Sequence, residues 1–342
     1  MRLGIVRSTI FTEKSATFRD HASNQRLPKL LQICFGKPAL AGLARVFRVD
    51  RMTEETEIRT DMLSADGLAT LLRLIVAQAS LRVSRASVDG RLVWIKRYDV
   101  EAKPLAKRLH SLISPLLPAF LRSSPTTGPA EAIAREMRKL ASFRAAGFAV
   151  PDLVFSNQSV LVLSDVGEVV QKTLVDSLPA DPARHDDLLV EVAKALGEAH
   201  RAGLCHGRPH PRDMFLRDGR IGFLDFEEEP EAVMTLAMAQ ARDAWLLFLQ
   251  ISPRAVLPET QARALAAYRA AAPLEVIPAL RTLTTFFARA MAPLRLVPNG
   301  LIGKDGRRAI DATDFLSWAL GTALPSNSKV SVTGRERPRG QS

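Results

Sequence analysis

The segment Cys205-His206-Gly207-Arg208-Pro209-His210-Pro211-Arg212-Asp213-Met214-Phe215-Leu216-Arg217-Asp218-Gly219-Arg220-Ile221-Gly222-Phe223-Leu224-Asp225-Phe226 constrains this chain more than any other. It reads as a polar loop, a strand, a two-residue turn and a second strand. Asp218-Gly219 is a dipeptide favoured in tight hairpin turns, where both central positions need positive φ. Pairing of Arg217 with Arg220 across that turn sets Asp213 opposite Leu224, one step from Asp225. Two carboxylates are thereby brought together beside a His-rich loop. Such a pair suits Mg²⁺, which takes carboxylate oxygens together with substrate phosphates.

The rest of the composition bounds the setting. A chain of 342 residues, 47% of them hydrophobic, carries enough apolar material for one large or two ordinary domains. Cys34 and Cys205 are too far apart in sequence to suggest a disulfide framework or a metal-binding spacing, so a reduced, cytoplasmic setting is expected. No apolar run approaches the roughly 20 residues that span a bilayer. Met1-Arg2-Leu3-Gly4-Ile5-Val6-Arg7 lacks the apolar stretch of a signal peptide. The net charge of +11 lies at the two ends, with 10 Lys/Arg against 3 Asp/Glu in residues 1–51 and 4 against 1 in residues 326–342. The body is left near neutral, so the charge does not predict a nucleic-acid-binding face. Residues 326–342 are expected to form a flexible tail. Met52 precedes the acidic run Thr53-Glu54-Glu55-Thr56-Glu57, which looks like a natural start. Residues 1–51 are therefore expected to be a basic extension, weakly ordered or not native.

Apolar spacing predicts a helix over 64–77, through Leu68, Leu71, Leu72 and Ile75. A hairpin follows, with strands 81–88 and 91–98 about Asp89-Gly90. Residues 103–121 place Leu105, Leu109, Leu112, Leu116 and Phe120 on one helical stripe, interrupted by Pro115 and Pro118. That stripe can pack against the domain, the favoured reading, or lie on a membrane surface with its lysines. A helix over 130–146 ends at Gly147. Strands 153–155 and 160–163 form a second hairpin about Asn157-Gln158. Beyond Gly167 the pattern turns helical, over 186–202, 231–250, 258–272, 274–291 and 311–322. Strands first and helices after indicate an α+β protein in two lobes.

Val93-Trp94-Ile95-Lys96 lies on the second strand of the first hairpin, and alternation sends Trp94 and Lys96 to one face. The acid best placed to meet Lys96 from helix 130–146 is Glu136, with Glu131 the second choice.

In their order these parts resemble the protein-kinase-like superfamily and, within it, most closely the bacterial lipopolysaccharide core (Kdo) kinases. The resemblance covers roughly residues 65–252. It implies a bilobal protein-kinase-like fold within residues 52–325, with a strand-rich N-lobe over about 65–166 and a mostly helical C-lobe over about 167–325. It implies ATP and Mg²⁺ as cofactors, with Lys96 on the nucleotide phosphates and Glu136 as its partner. The adenine would lie along Val160-Leu161-Val162-Leu163-Ser164-Asp165-Val166-Gly167, at Ser164 and Val166. Asp213 and Asp225 would hold the metal. His206, Arg208, His210 and Asp213 would form the catalytic loop, with Asp243 anchoring it from below. The implied acceptor is a sugar hydroxyl of a lipopolysaccharide-type glycolipid at the inner face of the membrane, which the basic segments would suit.

Three departures limit what carries over. His206-Gly207 is followed by Arg208, where the family has the aspartate that takes the acceptor's proton; arginine cannot accept one. His210, Asp213 and Glu227 are the candidate substitutes. Asp213 stands in place of the family's asparagine, a mild change for a metal ligand. The expected glycine-rich loop, near residues 80–88, has no glycine. The acids Glu227-Glu228-Glu229 ahead of Pro230 either add a metal ligand or cap the next helix, and the cap is favoured. The alternative to an active phosphotransferase is thus a pseudokinase that binds nucleotide or metal in a regulatory or scaffold role. A third reading is other nucleotide chemistry on the same fold, such as adenylyl transfer.

Overall fold

The computed structural model describes residues 6–9, 55–58, 63–100, 128–296 and 302–322. Strands β1 (Val6–Thr9), β2 (Glu55–Ile58), β3 (Val83–Val88), β4 (Arg91–Arg97), β5 (Leu153–Ser156) and β6 (Val160–Ser164) form one antiparallel sheet in the order β1-β2-β5-β6-β4-β3. Helix α1 (Ala65–Ala77) precedes β3, and α2 (Pro129–Ala145) precedes β5. Strand β6 lies inside the sheet and is buried on both faces, which is why it reads as a continuous apolar run. Its Val160 and Val162 join Leu71 and Ile75 of α1 in one core. Its Leu161 and Leu163 join Ile133, Leu140 and Phe143 of α2 in the other, which continues into the helical lobe.

The second lobe comprises α3 (Val170–Ser177), α4 (Pro182–Arg201), α5 (Leu236–Ile251), α6 (Thr260–Ala271), α7 (Val276–Ala290) and α8 (Lys304–Ala319). Helix α5 runs through its centre, with Ala239, Ala241, Ala244, Leu247, Phe248 and Ile251 all buried. Helix α8 is fixed to α5 by Trp245, whose Nε1 donates to Thr313 Oγ1 at 3.0 Å and whose ring stacks on Phe287 of α7.

Between α4 and α5 stands the hairpin β7 (Met214–Arg217) and β8 (Arg220–Phe223), preceded by the 3₁₀ turn Pro211–Asp213. Its register pairs Arg217 with Arg220, as the Asp-Gly turn dictates, and both turn residues have positive φ, 52° at Asp218 and 73° at Gly219. The ladder runs on to Leu224, whose amide donates to Asp213 O at 3.0 Å.

Several boundaries differ from the sequence expectation. The helix expected over 231–250 is a 3₁₀ turn, Pro230–Ala232, followed by an α-helix that begins only at Leu236. Thr235 caps that helix, its Oγ1 accepting from Met238 N. The acids before Pro230 make no side-chain cap bond, because arginines claim their carboxylates. Helix α4 begins four residues earlier than expected, at Pro182, with Asp181 capping it through Arg184 N at 2.9 Å. Helix α8 begins earlier too, after Gly303. The stripe over 103–121 and the tail over 326–342 lie outside the described residues, as does residue 1–51 apart from β1.

Candidate active site

The cleft between sheet and helices gathers the charged residues that the sequence singled out. Lys96 leaves β4 with its Nζ 2.7 and 2.8 Å from the two Glu136 oxygens and 2.7 Å from Asp225 Oδ1. Glu136 is buried on α2 and also accepts from the Tyr98 hydroxyl. Burial works against the charge on Lys96, but Glu136, Tyr98 and Asp225 outweigh it and hold its pKa well above the ordinary value. Asp225 closes the triad in a left-handed backbone conformation, φ 66°, which is uncommon for a residue with a side chain. Burial would raise its carboxyl, yet Lys96 keeps it below the ordinary range.

Asp213 shows the opposite balance. Its carboxyl is pushed up to about 7, by burial first and then by the charge of Asp225, while Arg212 and Arg208 oppose. Two crowded carboxylates, one resisting ionisation, are what a divalent cation relieves, so the pair fits Mg²⁺. Among the described residues no group of three or more His, Cys, Asp or Glu is placed to hold a metal. In the unfolded chain Asp213 would titrate near 3.9, so the folded state keeps a proton that the unfolded state loses. Without metal, this contribution to stability is full below about pH 4 and is lost as pH rises to about 7, at up to about 1.4 kcal/mol per pH unit. Asp213→Asn is expected to remove that slope. Urea melts of both proteins across this window would contradict the assignment if the slopes coincide.

The loop from Cys205 to Asp213 is anchored from beneath. Asp243 on α5 is buried and accepts from His206 N at 2.7 Å, from Gly207 N at 3.0 Å and from Cys205 Sγ at 3.2 Å. Burial opposes its charge, but bonding and attraction from His200, with His206 and the Gly207 amide, bring its pKa to about 2. Tyr268 and Asp243 flank His200, whose Nδ1 lies 2.8 Å from the Tyr268 hydroxyl. His206 packs against Phe226 and Phe223, its Nε2 3.1 Å from Leu224 O, and burial lowers its pKa to about 4. It is a neutral strut of the loop. Gly207 has φ 104°, and a Cβ there would stand 2.5 Å from Glu228 O. Gly207→Ala is therefore expected to cost about 1–3 kcal/mol, read as a lower denaturation midpoint.

Arg208 follows with its side chain 46% exposed, 3.6 Å from Glu227 Oε2 and 4.0 Å from Glu228 Oε1. Glu227 also meets Arg82 of the sheet lobe at 2.5 Å. His210 caps the 3₁₀ turn, its Nδ1 accepting from Arg212 N at 3.0 Å. Burial, then the charges of Arg212, Arg254, Arg208 and Arg308, lower it to about 4.

The order and the contacts of these parts are those of the protein-kinase-like fold. Residues 125–268 match the Lipopolysaccharide kinase (Kdo/WaaP) family. The matched segment runs from before α2 into α6; it includes Glu136, the Cys205–Asp213 loop, Asp225 and Asp243, and begins after Lys96. Solved structures similar to the chain include WaaP in complex with acyl carrier protein, at 18% identity over 69% of this chain and 86% of that one, TM-score 0.39. MAP kinase LmaMPK10 from Leishmania major is similar at 17% identity over 76% and 83%, TM-score 0.33. Among curated proteins nothing matches.

In the segment expected to hold adenine, Ser164 gives its amide to Asp152 O and accepts from Asp152 N through its hydroxyl, 2.9 and 2.8 Å. Asp165 binds Trp94 Nε1 at 2.9 Å, Arg85 Nε at 3.0 Å and Gly167 N at 2.7 Å. Val166 lies between them. Glu131, the second choice for Lys96, instead meets Arg138 at 3.1 Å. The sequence reading missed Lys139, which is buried on α2 and donates to Cys205 O at 2.9 Å and to Glu228 O at 2.7 Å while pairing with Glu231 at 2.9 Å. It stands three residues after Glu136, on the same helix face, and that spacing was the available signal.

Proposed function

We propose that the chain, through residues 52–325, is an ATP- and Mg²⁺-dependent phosphotransferase whose acceptor is a sugar hydroxyl of a lipopolysaccharide-type glycolipid. The Lys96 ammonium held between Glu136 and Asp225 carries this reading. Glu136 aims Lys96 at the nucleotide phosphates, the backbone from Ser164 to Val166 receives adenine, and Asp225 with Asp213 holds the metal. When bound, the metal neutralises charge on the phosphates. Asp243 and His206 fix the loop on which the acceptor hydroxyl is presented. His210 is neutral at pH 7, but its acceptor nitrogen Nδ1 is taken by the Arg212 amide, and Glu227 is engaged by Arg82 and Arg208. No helix among the described residues is long and apolar enough to cross a membrane. The acceptor would be met at the inner, cytoplasmic face of the membrane through the basic segments.

One observation favours a second reading, a pseudokinase that binds nucleotide without transferring phosphate. Arg208 stands where the resemblance expects the catalytic aspartate, a cation beside Glu227 and Glu228 that cannot accept a proton. Radiolabelled Mg-ATP and a glycolipid extract, supplied to the chain and to Asp225→Ala, separate the two. Label in the glycolipid that Asp225→Ala abolishes supports transfer. ATP binding without transfer supports the second reading. Binding of neither ATP nor Mg²⁺ removes both.

A further inference from the structure

Trp94 stands on the cleft face of β4, two residues before Lys96, and is 38% exposed. Alternate residues of a strand are rooted about 7 Å apart, close enough for one nucleotide to touch both. The protein-kinase pattern Val-Ala-Ile-Lys has alanine at this place. Here an indole spans from β4 to Asp165. Its Nε1 donates to Asp165 Oδ2 at 2.9 Å. Asp165 is itself fixed, its amide donating to Leu92 O at 2.9 Å and its Oδ1 accepting from Gly167 N at 2.7 Å. The one polar atom of the ring is thereby satisfied and its plane is set. What the ring has left to offer a ligand is its π face.

Arg85 is seated on that ring. The two residues are partners across the β3–β4 ladder, so their side chains share a face. Strand β4 lies between β3 and β6, and Asp165 follows β6, so Arg85 crosses Trp94 to reach Asp165. Its Nε is 3.0 Å from Asp165 Oδ2, and its Cζ lies 5.8 Å from the centroid of the Trp94 ring. The guanidinium is half-exposed, and neither an ion pair nor a cation–π contact is strong at an exposed site.

We propose that the Trp94 indole is a stacking platform for the nucleobase, held in plane by Asp165, and that Arg85 is a cover the base displaces. Bases stack on aromatic side chains through their flat faces, whatever their edges carry. The assignment to a nucleobase rests on the phosphotransferase reading. That reading gave the base end of the cleft backbone contacts from Ser164 to Val166, and Trp94 adds a side chain there.

The full chain, Trp94→Ala and Trp94→Phe are titrated by calorimetry with three ligands. These are Mg-ATP, adenosine (base without phosphates) and Mg-tripolyphosphate (phosphates without base). Trp94→Ala is expected to weaken Mg-ATP and adenosine about 10- to 100-fold and to leave tripolyphosphate unchanged. Trp94→Phe keeps a ring and should retain most of the affinity, while adenosine no longer quenches tryptophan emission as it does in the native chain. Arg85→Gln lifts the cover and should bind adenosine no more weakly than the native chain. Unfolding midpoints verify that each variant is folded. Adenosine bound equally by the native chain and Trp94→Ala overturns the platform, and tighter binding by Trp94→Ala shows that the indole blocks the base instead. Tripolyphosphate lost together with adenosine also overturns it, since the whole cleft is then disturbed. Weaker adenosine binding in Arg85→Gln overturns the cover. If Mg-ATP binds all three proteins equally, the platform falls and the phosphotransferase reading stands. If adenosine binds and quenches Trp94 but Mg-ATP and tripolyphosphate do not bind, the platform stands and that reading falls.

Discussion

Lys96→Met is expected to lower the unfolding free energy by about 3–5 kcal/mol, the usual cost of removing one partner of a buried ion pair. Glu136 is fully buried, and its contacts are Lys96 and Tyr98. Without the ammonium its charge loses that ion partner in a setting of low dielectric. Lys96→Met/Glu136→Leu, which removes both charges, should recover much of the stability, since an apolar pair often serves as well as a buried ionic one. On the proposed reading Mg-ATP should protect the native chain thermally, and the single variant should lose that protection. A Lys96→Met protein with native stability would show that the pair is not closed in solution. One with native Mg-ATP protection would show that Lys96 does not hold the nucleotide.

Arg208→Asp is expected to raise turnover about 10²–10⁴-fold, the usual worth of a positioned general base. On the proposed phosphotransferase reading, Arg208 occupies the loop position from which a carboxylate would face an acceptor hydroxyl, next to a backbone fixed by Asp243. The substitution also frees Glu227 from one of its two arginines, leaving Arg82. Phosphoryl transfer depends mainly on positioning and charge neutralisation, so a slow native rate is compatible with everything else in the cleft. Turnover that falls in Arg208→Asp would mean that the cation itself stabilises the transferring group. Turnover absent from both proteins, with Mg-ATP bound, would leave the pseudokinase reading standing.

Much of this site was legible because it depends on local rules. The Asp218-Gly219 turn fixed the register that places Asp213 beside Leu224 and Asp225, and two-residue alternation sent Lys96 to the cleft face. Glu136, the first choice of partner for Lys96, meets it, and Glu131 does not. What escaped was non-local. Nothing near Glu227, Glu228 and Glu229 says that Arg82, Arg135 and Arg242 will claim them, so they were read as a cap although the helix waits for Thr235. Lys139 went unread, since two of its partners are backbone carbonyls, which a sequence does not display.

The Lys139 contacts also bear on how the cleft admits a ligand. Helix α2 is stitched at its base to the helical lobe, by Lys139 to two loop carbonyls and Glu231, and by Arg135 to Glu227 O at 3.0 Å. Rocking one lobe on the other would break these dry, charge-assisted bonds together. The outer rim is closed far more lightly, by the solvent-facing Arg82–Glu227 pair, and exposed pairs are worth about 0–1 kcal/mol. Strand β3, which carries that rim, is the last strand of the sheet. Such a cleft opens at its lip while its back stays shut, so amide exchange in β3 should outrun that in α2, and a bound nucleotide should slow the strand and leave the helix unchanged.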